Sequence, residues 1–246
     1  LLEALAAVAA SSDDFRVPRP LAYDANLRTL LIAEATGDRL LDIIRQNDDR
    51  RAPEAVRRAA RAVAAMHGSA VAPALLPDAS PDKDAQFSDV TRRLMSVFPA
   101  QAAAVREMTA RIETAFRPAP ARPTHFDLKQ GHILVDPAAV TILDFDKMAI
   151  GDPLIDVANV VATLGAEREG SARRAARRDN LADVFVEEYF SRVPDDWAAL
   201  FPVHLARATL LEAATTGRGN RGRMGTTKPE DRLASALRRV DELLAS

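Results

Sequence analysis

Cysteine is absent from the 246 residues, which excludes disulfides and thiolate metal sites and suits a reducing cytosol. No apolar run approaches the roughly 18 residues that a membrane span needs. The opening Leu1-Leu2-Glu3-Ala4-Leu5 carries an acid and no basic flank, so it does not read as a secretory signal. Neither sign of charge prevails: 33 basic against 35 acidic side chains leave a net charge of -2. Nucleic acid and anionic membrane are therefore not expected as partners. A cytoplasmic protein is the expectation. Aromatics are scarce at 5%, with one Trp and two Tyr. No Gly precedes Gly37 and no Lys precedes Lys83.

What is present favours helices. Hydrophobic residues make up 48%, ample for one large core or two unequal lobes, and alanine is abundant. Residues 1–10 read as a helix, ended by Ser11-Ser12-Asp13-Asp14. Val17-Pro18-Arg19-Pro20-Leu21-Ala22-Tyr23 reads as extended chain, because each proline pushes its predecessor towards β or polyproline geometry. Asp24-Ala25-Asn26 is a turn and Thr29–Ala33 a short strand, closed by Gly37. This hairpin is the one β signal before residue 130. Helical periodicity begins at residue 39, with Val56, Ala60, Val63 and His67 on one face, and returns with Val105, Met108, Ile112 and Phe116. The polar stretch Pro77–Asp84 reads as a loop and Pro118–Pro123 as an extended lead-in. Asp152-Pro153 reads as an N-cap with proline at the first helical position, before a buried face of Leu154, Val157, Val161 and Leu164. Further helices are expected near 180–191, 197–214 and 230–244. Gly217-Arg218-Gly219-Asn220-Arg221-Gly222-Arg223 reads as a solvated loop.

The chemistry concentrates in His125-Phe126-Asp127-Leu128-Lys129-Gln130-Gly131-His132 and Asp144-Phe145-Asp146. Ile133–Val135 and Val140–Leu143 read as two strands joined by the turn Asp136-Pro137-Ala138-Ala139. If Val135 pairs with Val140, the antiparallel register sets His132 opposite Leu143, beside Asp144. Asp127, in the preceding loop, then converges on the same end of the hairpin. Phosphoryl transfer uses such a set: one carboxylate to orient the attacking hydroxyl, a second to hold a metal, a third ligand, and a cation. Asp127 fits the first role, Asp144 and Asp146 the second, His132 the third and Lys129 the fourth. His125 and Asp156 read as structural, Asp156 bonding back to the catalytic loop. His67, His204 and Trp197 read as packing residues.

The segment resembles the catalytic loop H-x-D-x-x-x-x-N of protein kinases and, more closely, that of the aminoglycoside phosphotransferase and choline-kinase-like family. Ile142–Asp146 followed by Gly151-Asp152-Pro153-Leu154-Ile155-Asp156-Val157-Ala158 is similar to that family's acidic metal motif and its continuation. Leu30–Gly37 resembles its hinge, and Ala64-Ala65-Met66-His67-Gly68 its short helix end. The resemblance implies an α+β, protein-kinase-like fold: a partial β-rich N-terminal lobe with hinge over residues 1–36, and a larger, mainly helical lobe with the catalytic β-hairpin over 37–246. It implies an ATP- or GTP-dependent phosphotransferase acting on a hydroxyl of a small, polar or aminoglycoside-like molecule. The nucleotide base would be held at Ala33, Glu34 and Ala35, through the Ala33 carbonyl and the Ala35 amide. Asp127 and Lys129 would be catalytic, and His132, Asp144 and Asp146 would hold Mg²⁺.

Two departures qualify it. His132 stands where the family usually has Asn, and imidazole is a softer ligand that suits Mn²⁺ better than Mg²⁺. The Gly-rich loop and strand Lys of a kinase N-terminal lobe are also missing, which leads to the expectation that the chain begins inside that lobe, with Glu3 in place of the helix Glu. The rival is a catalytically impaired, pseudokinase-like nucleotide-binding module. A cationic acceptor would need acidic residues in the cleft, and a choline-type acceptor an aromatic cage.

Overall fold

Alanine-rich helices and short antiparallel strands alternate along the chain in a computed structural model that describes residues 2–46, 48–71, 75–77, 82–166, 172–215 and 228–245. Helix α1 (Leu2–Ala10) leads into the hairpin β1 (Pro20–Asp24) and β2 (Thr29–Ile32). The two-residue β3 (Asp38–Arg39), α2 (Leu40–Arg45) and α3 (Arg51–His67) follow. Helices α4 (Asp82–Val97) and α5 (Ala102–Ala115) precede β4 (Arg122–Thr124), β5 (Ile133–Val135), β6 (Val140–Ile142) and β7 (Ala149–Gly151). The remainder is α6 (Leu154–Ala166), α7 (Ala172–Phe190), α8 (Phe201–Thr215) and α9 (Pro229–Ala245). None of the described helices is long and apolar enough to cross a membrane.

The helical faces read from the periodicity are buried: Val56, Ala60, Val63 and His67 on α3, and Val105, Met108 and Ile112 on α5. Apolar packing falls into two clusters. The larger joins Leu5, Phe15, Val63, Ile142, Val157 and Phe185, tying α1, α3, β6, α6 and α7 together. The smaller joins Phe87, Leu94, Ile112, Leu210 and Leu233 across α4, α5, α8 and α9.

Strands β3, β5 and β6 form one antiparallel sheet in that spatial order, and β4 pairs with β7 in another. The register Val135↔Val140, Leu134↔Thr141, Ile133↔Ile142 is the one the sequence predicts, and the Leu143 amide closes it by donating to the His132 carbonyl at 2.9 Å. The outer edge of β6 is covered by Arg16, whose amide donates to Val140 (2.7 Å) and whose carbonyl accepts from Ile142 (2.9 Å). Gly37 is required where the chain crosses this sheet. Its φ is 113°, and a Cβ there would meet the Val135 carbonyl carbon at 2.9 Å.

Three expectations change. β3 and β4 are strands before residue 130 that carry no alternation signal, because segments of two and three residues are too short to show a period. The polar run Pro77–Asp84 is not all loop: α4 begins at Asp82, and burial of Phe87, Thr91 and Leu94 on one face overrides the polar first turn. The helix expected near 180–191 starts earlier, at Ala172. The Gly217–Arg223 segment lies outside the described residues.

Candidate active site

The catalytic loop is built by a buried carboxylate. Asp152 caps α6, its Oδ1 accepting from the Leu154 amide at 3.0 Å, which fixes Asp156 in the first turn. Asp156 is fully buried, and its oxygens accept from the His125 amide (2.7 Å) and the Phe126 amide (2.8 Å). A third partner is His67 Nε2 at 3.1 Å, while His67 Nδ1 lies 2.8 Å from the Tyr189 hydroxyl. Burial above all, with the Asp156 and Asp152 charges, pushes the Tyr189 phenol far above its ordinary pKa. It therefore stays protonated, within hydrogen-bond distance of His67 Nδ1. A chain of polar contacts thus runs from α7 through α3 to the loop.

His125 is itself fully buried and donates from Nε2 to the Leu143 carbonyl at 2.8 Å. Its Nδ1 accepts from the Asp127 amide at 3.3 Å. The loop is thereby locked to the end of the β5–β6 hairpin. Phe126 (φ 63°) and Asp144 (φ 69°) both sit in the left-handed region, which side-chain-bearing residues seldom adopt. Each costs about 1–3 kcal/mol, and both flank the convergent groups.

Asp127 Oδ1 pairs with Lys129 Nζ at 2.9 Å and its Oδ2 with Lys147 Nζ at 3.1 Å. Partial burial works against ionisation, but the two lysines outweigh it and hold the carboxyl below the usual carboxylate range. His132 Nε2 faces Asp144 Oδ2 at 3.5 Å, and its Nδ1 is buried with no hydrogen-bond partner. Burial is the main cause that lowers the His132 pKa below its ordinary value, against the pull of Asp144. Asp146 is exposed. Among the described residues no three His, Asp or Glu side chains gather as a metal cage. One hard carboxylate and one imidazole still fit a divalent ion whose other ligands are phosphates and water, the usual manner of Mg²⁺ at phosphoryl-transfer sites.

The stretch Ala33–Ala35, expected from the sequence to be a hinge, follows β2, and the Ala33 amide donates to the Arg19 carbonyl at 2.8 Å. A cavity of about 210 Å³ opens beside Asp127, Lys129 and Lys147, walled by one face of α6 (Ile155, Ala158, Asn159, Ala162, Thr163) and one face of α8 (His204, Arg207, Ala208, Leu211, Glu212). His204 and Asp152 tie these walls together at 2.6 Å.

The structure brings Asp127, Lys129, His132 and Asp144 together as the sequence predicts, and Asp156 and His125 take the structural positions expected of them, whereas His67, read as a packing residue, is buried but bonds to Asp156 and Tyr189. Sequence reasoning misses Lys147 and the cavity residues of α8. Lysine is rare here: the chain has 4 against 29 arginines, and two of the 4 meet Asp127. That scarcity is the signal that marks Lys147.

This arrangement, a catalytic loop docked on a short hairpin with a helical lobe behind it, defines a protein-kinase-like fold of the α+β class. The chain belongs to the phosphotransferase enzyme family (APH), whose profile matches residues 1–200. No curated protein matches the chain significantly. Among solved structures, a choline/ethanolamine kinase family protein from Mesorhizobium loti superposes with a TM-score of 0.67 at 16% identity, over 99% of this chain and 82% of the other. The ethanolamine kinase of Plasmodium vivax gives 0.55 at 11% identity, over 95% of this chain and 71% of the other. The ADP-bound aminoglycoside phosphotransferase APH(2'')-Ib gives 0.54 at 12% identity, over 94% and 77%. At these identities the likeness is one of fold.

Proposed function

We propose that the protein moves the γ-phosphoryl group of ATP or GTP to a hydroxyl of a small molecule. The observation that carries this is the Asp127 carboxylate, held on a loop pinned by Asp156, between two lysines, beside the His132–Asp144 pair and at the wall of a cavity. The acceptor hydroxyl bonds to Asp127. Its oxygen attacks the γ-phosphorus, the bond to the β,γ-bridging oxygen breaks, and the hydroxyl proton passes to Asp127 as ADP or GDP leaves. A carboxylate held below its usual pKa is a weak base. Its main contribution is orientation, with proton transfer late, as a loose transition state requires. Lys129 and Lys147 face the charge of the moving phosphoryl group.

Asp144 and His132 would hold the divalent metal, Mg²⁺ or Mn²⁺, with Asp146 as an outer partner; it would neutralise nucleotide phosphate charge. Residues 1–36 would belong to the nucleotide lobe and 37–246 to the catalytic lobe. The base would dock at Ala33–Ala35, through the Ala33 carbonyl and the Ala35 amide, with Glu34 between them. Family membership and fold neighbours solved with nucleotides support a nucleotide-dependent enzyme, and a cysteine-free chain is compatible with the reducing cytoplasm.

The test is Asp127→Asn in the full-length protein. Phosphoryl transfer should fall by roughly 10²–10⁴ while nucleotide affinity changes little. Transfer at the wild-type rate would reject the assignment.

A further inference from the structure

The polar lining of the cavity beside Asp127 divides into groups committed within the protein and groups that are not. Asp127 is held by Lys129 and Lys147. His204 meets acceptors at both ring nitrogens, the Leu200 carbonyl at 2.9 Å and Asp152 Oδ2 at 2.6 Å. The Thr163 hydroxyl accepts from Gln130 Nε2 at 2.8 Å and donates to the Asn159 and Val160 carbonyls of its own helix. Arg207 is buried against the Phe87 and Phe116 rings, and both it and Glu212 are engaged in further contacts of their own. What remains is two amides, Asn159 on α6 and Gln86 on α4. Neither side chain forms a hydrogen bond among the described residues.

Position singles out Asn159. It is half-buried, whereas Gln86 is exposed. It follows Asp156 by three residues, which is about 4.5 Å along the helix. Asp156 is the carboxylate that holds the catalytic loop through the His125 and Phe126 amides. The uncommitted amide therefore stands one turn from the anchor of the loop that carries Asp127. The wall around it is small and apolar (Ala158, Ala162, Ala208, Leu211). An amide offers an acceptor oxygen and two N–H donors. That suits hydroxyl groups, which both give and accept, and it compensates no charge. A charged headgroup here would lose water without gaining an uncommitted counter-charge, which is costly. The cavity of about 210 Å³ is also smaller than the roughly 300–1,000 Å³ of sites for drug-sized ligands, so its ligand is small.

Resting on the phosphotransferase reading above, we propose that the acceptor is an uncharged, polyhydroxylated molecule the size of one sugar ring, and that Asn159 selects it. One hydroxyl is presented to Asp127, a neighbouring hydroxyl bonds to the Asn159 amide, and the C–H face of the molecule lies on the α6–α8 wall.

The test uses the full-length protein with ATP or GTP and Mg²⁺ or Mn²⁺. Its acceptors are neutral monosaccharides and open-chain polyols of about four to seven carbons, the size the cavity admits, with single-deoxy analogues of the best of them, the matching amino sugars and sugar acids, choline and an aminoglycoside. The best neutral acceptor should exceed its amino and acid counterparts in kcat/KM by roughly tenfold or more. One deoxy analogue should lose about tenfold, the scale of one hydrogen bond to a built partner. In Asn159→Leu the KM for the full acceptor should rise by about that factor, the loss falling on KM rather than kcat, and the gap between acceptor and deoxy analogue should close. Asn159→Asp supplies a sign that a folding defect cannot imitate: the amino sugar should gain on the neutral one by about tenfold. An amino, acidic, choline or aminoglycoside acceptor leading the wild-type series overturns the proposal and leaves the phosphotransferase reading intact. So does Asp127-dependent nucleotide turnover with no neutral acceptor used, or a deoxy gap that survives in Asn159→Leu. Absence of any Asp127-dependent turnover overturns both.

Discussion

A carboxylate between two ammonium groups is easy to ionise and hard to protonate, and this tension governs Asp127. Its burial alone would raise the pKa; Lys129 and Lys147 more than reverse that. Removing one lysine therefore moves the carboxyl back up. For Lys147→Met we expect the acid limb of the kcat/KM profile to shift to higher pH, with a loss in kcat of roughly ten- to a hundredfold. A pH–rate series on wild type and variant checks it, and an unshifted acid limb would detach Lys147 from Asp127. At this scale the motif residues were legible because a catalytic loop fixes their spacing: Asp127, Lys129, His132 and Asp144 lie in one short segment of chain. Lys147 was not, because it reaches Asp127 from an irregular turn after β6, where no periodicity says which way a side chain points. Arg207 was hidden for another reason. Its place on the α8 face with His204, Ala208 and Leu211 is readable, but what that face opposes is not.

Between elements, Asp156 is the joint that sets the loop on its scaffold. It serves two loop amides and His67 at once, all within 3.1 Å. An asparagine offers one acceptor oxygen, and its NH₂ would face donors. Asp156→Asn should lower stability by about 2–4 kcal/mol, since bonds to a charged acceptor are worth roughly 1.5–3 each, and should cost activity through the displaced loop. Denaturant unfolding alongside kinetics measures both; a stable, fully active variant would contradict this role. Gly37 is the matching joint where the chain crosses the β3–β5–β6 sheet. Gly37→Ala combines a φ of 113° with a backbone approach of 2.9 Å, so a loss of about 1–3 kcal/mol is expected, read from the same unfolding curves. The β5–β6 register was legible from Asp136-Pro137 and the flanking apolar runs. The strands β3, β4 and β7 were not, because they exist only through pairing with partners distant in sequence.

At the scale of the whole molecule, two apolar clusters meet around the cavity, and charged clamps bind helices whose faces the periodicity could identify without naming their partners. Glu188 on α7 is the clearest clamp, with Arg61 of α3 and Arg192 each at 2.8 Å. Burial works against its charge, but Arg61 and Arg192 outweigh it and lower its pKa. A carboxyl whose folded pKa lies below its unfolded value contributes stability that is fully present above about pH 4.3 and is lost as pH falls through the folded value. Glu188→Gln should therefore cost about 1 kcal/mol or less near neutrality, the scale of pairs close to the surface. The variant and wild type should converge in stability below roughly pH 4; parallel curves across that window would remove Glu188 from the α3–α7 tie. The β1–β2 hairpin contributes otherwise. Leu21, Tyr23, Leu30 and Leu31 are exposed along it, and its turn is fixed by Asp24 Oδ1 accepting from the Asn26 and Leu27 amides at 2.9 Å. The kinase-like architecture was legible from the order of motifs. The cavity's composition was not, because it assembles from helices far apart in the chain.

The most direct measurement is ADP release by the full-length protein, wild type beside Asp127→Asn, with nucleotide affinity determined on both by titration. Unchanged affinity with turnover reduced by roughly 10²–10⁴ is the predicted result. Equal turnover in the two proteins would contradict the assignment of Asp127 as the residue that presents the acceptor.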